Sequence, residues 1–289
     1  MSTVTTNINT GEPFDGEHGV ARRLMRNPFA AASIVVLFAI ILLAIFAPAR
    51  VTYVHATAGL FERPSSAHWL GADDSGYDIL SRIAVGARVS LGIAVSAEIA
   101  IVVFGCFVGL IAGYFGGMVD TVLMRITDMM FAFPDILLAI LVAVILRGGL
   151  ANIFVALAVT GWPGIARLVR AQTMSLRRRE FIDAARALGV PNGQIILRHI
   201  LPNVQSTVVV ASTVDIAGLV VAESTLSFLG IGVQPPLVSW GSLIAGSLQY
   251  MDIHPELLYY PALFLMLTVL SINFLGDALR DALDPRRAT

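Results

Sequence analysis

The chain has 289 residues, of which 56% are hydrophobic and 13% charged, with a mean hydropathy of +0.79, whereas soluble domains carry about 25% charged residues. That deficit excludes an ordinary soluble domain, and a net charge of -1 supplies no basic field for nucleic acid. All 19 basic residues are Arg, and the lone Cys106 excludes a disulfide framework or a multi-cysteine metal site.

Residues 1–27 are polar and lack the basic-then-apolar order of a cleavable signal peptide, so they read as a cytoplasmic tail. From residue 28 to residue 285 the pattern is that of one all-α membrane domain, followed by a second short tail, 286–289. Six apolar segments reach the roughly 20 residues a helix needs to cross a hydrocarbon core: about 29–47, 89–113, 119–146, 150–166, 204–222 and 257–275. Thirteen Arg fall on the side of the N-terminal tail and five on the other, with Arg125 near a boundary. This bias puts both termini in the cytoplasm.

At the end of the second segment Gly105, Gly109, Gly113 and Gly117 recur every four residues, a smooth helix face that lets a neighbouring backbone approach. Glu98 and Asp215 each fall near the middle of a span. A charge at that depth is costly, so each should face the bundle interior or a wet cavity, either fixed to a polar neighbour or serving a functional site, with a protonated amino group as a fitting partner for Asp215. In the third segment Arg125 and Asp128 are spaced to pair across one turn, and Pro134 should bend the helix.

Two connections are long: an external loop, 50–88, and a cytoplasmic loop, 167–203. In the latter a short helix beginning near Glu180 should stop at Gly189, with Pro191 barring continuation. A second short helix should follow and stop before Pro202. Phe181, Ala184, Ala185 and Leu188 form an apolar stripe too short to make a core of its own. It needs a surface to dock on.

The chemistry of a membrane enzyme is missing. No residue is Lys, so the chain cannot build a phosphate-binding P-loop; there is no His-Glu-x-x-His and no Gly-x-Ser-x-Gly, and the five His are scattered. No catalytic or metal site is expected. Inverted repeats of an ion-driven secondary transporter are not evident either.

The cytoplasmic loop resembles the Glu-Ala-Ala loop of importer-type ABC permeases: Asp183-Ala184-Ala185, Gly189, Leu201 and Pro202 fall at matching places, with Asp183 replacing Glu and His199 replacing Ile. Further blocks resemble the dipeptide and oligopeptide branch of that family. They include His68 to Gly71, Asp78 to Arg82, Gly113 to Gly117, Phe133-Pro134, Glu223 to Pro236, Trp240-Gly241 and Asn273 to Arg286. The resemblance implies a six-span permease that pairs with a second, similar permease around a pore, in the inner or plasma membrane. It implies two cytoplasmic ATPase subunits, which use ATP and Mg, an extracytoplasmic peptide-binding protein, and no cofactor on this chain. Glu180, Asp183, Ala184, Ala185, Leu188, Gly189, Leu201 and Pro202 are then the ATPase-coupling residues. Nickel chelates and glutathione are alternative cargoes.

Overall fold

The computed structural model describes residues 27–46 and 59–283; both expected tails apart from Asn27, and residues 50–58 of the external loop, lie outside the described residues. Among the described residues the only β pairing is an isolated bridge between Ala72 and Asp78. The helices in chain order are α1 (Pro28–Phe46), α2 (Ile79–Phe115), α3 (Gly117–Phe131), α4 (Asp135–Ile145), α5 (Leu150–Leu176), α6 (Glu180–Ala187), α7 (Asn192–Ile195), a π-turn (Ile196–Ile200), α8 (Leu201–Phe228), α9 (Trp240–Ser247) and α10 (Glu256–Leu283).

Five helical stretches are long and apolar enough to cross a membrane, and α3 with α4, bent by 88° between them, forms a broken span or a re-entrant loop. The expected bend at Pro134 is therefore a break. Ala132 and Phe133 close the end of α3 with bonds to the carbonyls three residues back, Met129 and Met130, and Pro134, with ψ 127, turns the chain out of the helix before α4 restarts. Pro lacks the N–H that would have continued the ladder.

The second loop helix departs from expectation as well. It does not stop before Pro202 but runs through the π-turn into α8, making one stretch, Asn192–Phe228. The wider turn lets Leu201 N–H reach the Ile196 carbonyl, and Pro202, which has no N–H to give the ladder, follows directly on that turn. The Asn203 amide donates to the His199 carbonyl at 2.6 Å.

The heart of the bundle is the α2–α5 pair, which run side by side in the same direction. A Cβ on Gly105 would come within 2.8 Å of Ile165 Cβ, on Gly109 within 2.6 Å of the Ala166 carbonyl, and on Gly113 within 2.7 Å of Thr173 Cβ. These three glycines thus form the expected face. Gly117 does not belong to it: it follows the turn at Gly116 and has no neighbour there. α5 also clasps α3 through Arg170 with Asp120 and Arg167 with Asp128, the latter at 2.6 Å. Asp128 therefore pairs with the neighbouring helix, not with Arg125, because Arg167 also gains the ring of Phe131 at 3.9 Å.

Helix α1 packs at the edge against α2 and α10. Phe29 and Phe274 rings lie 5.6 Å apart, so α1 begins and α10 ends at the same end of the bundle. At the opposite end Arg88 of α2 donates to the Ala44 and Ile45 carbonyls, satisfying acceptors that the last turn of α1 leaves open.

Candidate functional site

At the end where α1 begins, α6 and α7 form the short helical hairpin that the loop sequence called for. α6 closes with Gly189 at φ +77, Gly189 N–H bonding the Arg186 carbonyl and Val190 N–H the Ala185 carbonyl. This is the double bond of a left-handed helix cap, which Gly adopts without strain. The hairpin is fixed to the spans beneath it. Ile182, Ala185, Ile195 and Ile200 are buried in the main apolar core, and Arg177 donates to the Tyr114 carbonyl at 2.7 Å.

The expected stripe divides between two faces. Ala185 turns inward together with Ile182, which the stripe omitted, while Phe181 stays 45% exposed and Leu188 84% exposed. Ala184 is exposed between them. Phe181, Ala184 and Leu188, at spacings of three and four, form the outward apolar face. Glu180 opens the helix, and Asp183 is paired to Arg186 at 3.0 Å within it. Leu201 and Pro202 stand apart from this face, at the join with α8.

A second feature lies inside the bundle. A cavity of about 350 Å³ is bounded by α2, the end of α3, α4, α5 and α8, and it brings Glu98 and Asp215 together. Glu98 is 3% exposed; the Ser212 hydroxyl is the one donor beside its carboxylate, and neither group has another partner. Asp215 is exposed on this chain, at the rim. Asp135 joins them, a carboxylate that the sequence reading passed over. Its signal was its place just after Pro134: once the span breaks there, Asp135 becomes the first residue of α4, where acids favour the helix N-terminus. Thr160 also lines the cavity but spends its hydroxyl on the Ala156 carbonyl. Among the described residues no cluster of His, Cys, Asp or Glu could hold a metal ion.

The opposite end carries a stapled outer segment. Asp78 caps α2 by accepting from Ser81 N–H at 2.8 Å and meets His68 at 3.1 Å. Asp73 pairs with Arg82, and Tyr250 donates to Asp74 at 3.0 Å. That bond raises the Tyr250 phenol above its ordinary value, since the neighbouring carboxylate favours the protonated hydroxyl.

Residues 105–289 match the family described as binding-protein-dependent transport system inner membrane component, and residues 18–58 match the N-terminal TM domain of oligopeptide transport permease C. The dipeptide transport system permease protein of Alkalihalophilus pseudofirmus is 41% identical over 92% of this chain and 88% of its own. The oligopeptide transport system permease protein of Escherichia coli K12 is 43% identical, covering 92% and 89%. The glutathione transport system permease protein of Pectobacterium atrosepticum is 42% identical, covering 92% and 89%. Among solved structures, the inward-facing MetNI methionine ABC transporter superposes with a TM-score of 0.55 at 23% identity, over 69% of this chain and 95% of that one. That likeness concerns the fold.

Proposed function

The chain belongs to the binding-protein-dependent transport system inner membrane components, and we propose that its cargo is dipeptides and oligopeptides. It is a multi-pass permease subunit of an ABC importer. The observation that carries the mechanism is the outward apolar face of Phe181, Ala184 and Leu188 on a capped helix. Such a face, left in water on a folded chain, marks a contact surface.

The occupant is a cytoplasmic ATPase subunit, one for this permease and one for a second, similar permease that completes the pore. With α6 on the cytoplasmic side, both termini are cytoplasmic too, in agreement with the Arg bias. ATP and Mg belong to the ATPases; this chain has no Lys for a P-loop and carries no cofactor. A binding protein outside delivers the peptide. When the ATPases close they carry α6, and because α6 and α7 share the core of α2, α5 and α8, the spans move with it. The permease supplies geometry and breaks no bond.

Peptide as cargo is supported by relatives named for dipeptide and oligopeptide transport. Glutathione is the second reading, on a relative of equal similarity. The test is reconstitution of the complete transporter, with its binding protein, in liposomes containing ATP. Uptake of dialanine or trialanine that stops without ATP is expected. Uptake of glutathione alone moves the cargo to the second reading, and uptake that ignores ATP overturns the importer reading.

A further inference from the structure

The cavity between α2, α4, α5 and α8 presents three carboxylates, Glu98, Asp135 and Asp215, and no basic side chain among its lining residues. Glu98 is the deepest of them, and the uncharged Ser212 hydroxyl is the one donor beside it. A buried carboxylate without a charged partner is strongly unfavourable unless a proton or a cationic group relieves it. The acids do not converge tightly enough to coordinate a metal ion among the described residues, so a proton relieves Glu98 at rest and a cationic group with its own N–H donors can take the proton's place. A volume of about 350 Å³ stands at the small end of ligand pockets, which run from roughly 300 to 1,000 Å³.

We propose that this cavity is a subsite for a protonated primary amine, with Glu98 as its principal ligand and Asp135 and Asp215 holding the approach negative. The ammonium group has three donors and one charge: Glu98 accepts one bond in the interior, and Asp215 at the rim meets the amine as it enters or leaves. Resting on the transport reading, the inference names what the pathway recognises, the free amino group that a peptide carries at its N-terminus or on a lysine side chain. A cavity lined by acids with no basic side chain favours the cationic group of a cargo.

Two experiments test it. In the assembled wild-type transporter, Glu98 is modified with dicyclohexylcarbodiimide, which attacks protonated buried carboxyls, and its total consumption, as N-acylurea together with any amide formed by an added amine, is read by peptide mass spectrometry. Glycinamide should slow labelling roughly tenfold, the scale of one charge-assisted hydrogen bond, while N-acetylglycinamide and sodium chloride of equal ionic strength should not. Equal protection by all three, or by none, overturns the subsite. In liposomes, Glu98→Gln should reduce uptake of dialanine about tenfold more than uptake of N-acetyldialanine, and Asp215→Asn should shift the same ratio in the same direction. An N-acetylated lysine dipeptide separates the two amine sources. Equal loss for free and blocked peptides overturns amine recognition. If Glu98→Gln fails to assemble, the labelling of wild type still decides. Absence of any peptide uptake by wild type overturns the cargo reading instead, and leaves the subsite to the labelling result.

Discussion

The Tyr114 hydroxyl donates to Asn192 Oδ1 across 2.7 Å, joining the last turn of α2 to the first residue of α7. The same Tyr accepts from Arg177 through its carbonyl and lies under the Arg186 guanidinium, 5.5 Å from its ring. One side chain thus links α2, the end of α5, α6 and α7. Displacement of the α6–α7 hairpin by an ATPase would be felt first along α2, which is also the helix that bears Glu98.

Tyr114→Phe removes the hydroxyl alone and keeps the ring beneath Arg186. A single hydrogen bond of this kind contributes about 1 kcal/mol, or about fivefold in an equilibrium. Assembly of the complex should be unchanged, while stimulation of ATPase activity by the loaded binding protein should fall about threefold to fivefold on that scale. Stimulation equal to wild type would show that the tie holds the hairpin without transmitting its movement.

Gly189 and Leu188 separate strain from contact. A Cβ at Gly189 meets nothing within 4 Å, but its φ of +77 remains, so Gly189→Val should cost about 1–2 kcal/mol of hairpin stability through backbone conformation alone. Gly189→Asn should restore most of it, because Asn tolerates the left-handed region. Leu188→Asp alters a side chain that is 84% exposed and should leave the fold intact, yet abolish co-purification of the ATPases. Retention of the ATPases by Leu188→Asp would remove α6 as their docking surface.

The α2–α5 crossing predicts opposite outcomes for two glycines of one helix. Gly109→Val places branched atoms where even a Cβ would be 2.6 Å from the Ala166 carbonyl, and overpacking of this kind costs about 1–3 kcal/mol. Gly92 has open space around its Cα, so Gly92→Ala should raise stability by about 0.5–1 kcal/mol, the helix cost of Gly. Half-buried Cys106, the one thiol, reports unfolding by its reaction with a thiol dye. Equal midpoints for both variants would contradict the close crossing.

The parts legible in the sequence are those set by local chemistry. Apolar length marks the spans, and Gly189 followed by Pro191 marks the end of α6, because a cap is decided within a few residues. Partners were less legible. The spacing of Arg125 and Asp128 argues for a pair, yet Asp128 is taken by Arg167, 39 residues on, and local spacing carries no information about a competitor on another helix. Ile182 was missed for a related reason: an eight-residue helix with apolar residues on both sides does not declare which face turns inward. The cavity is the extreme case. It joins side chains from residue 98 to residue 222, and Asp135 enters it only because the break at Pro134 is a right-angled turn and not a gentle kink.

The last prediction concerns a buried carboxylate with the opposite character to Glu98. Glu223 is fully enclosed but satisfied, accepting from Ser227 Oγ at 2.7 Å and from Ser224 Oγ at 3.4 Å. Ser227 Oγ in turn accepts from Val233 N–H at 3.1 Å. The carboxylate therefore orients the hydroxyl that holds the return loop, and this loop delivers Ser239 to cap α9 and Trp240 to donate to the Ile83 carbonyl at 3.0 Å. Removing the carboxylate leaves two buried hydroxyl donors without an acceptor, at about 1–3 kcal/mol each. Glu223→Ala should lower the unfolding midpoint by about 5–10 °C for a chain of this size and expose residues 229–239 to protease. Glu223→Gln keeps one acceptor oxygen and should lose less; Ser227→Ala, which breaks the relay but preserves the carboxylate, should fall between them. If Glu223→Ala matches wild type in midpoint and in loop cleavage, the loop is held by the packing of Trp240 alone.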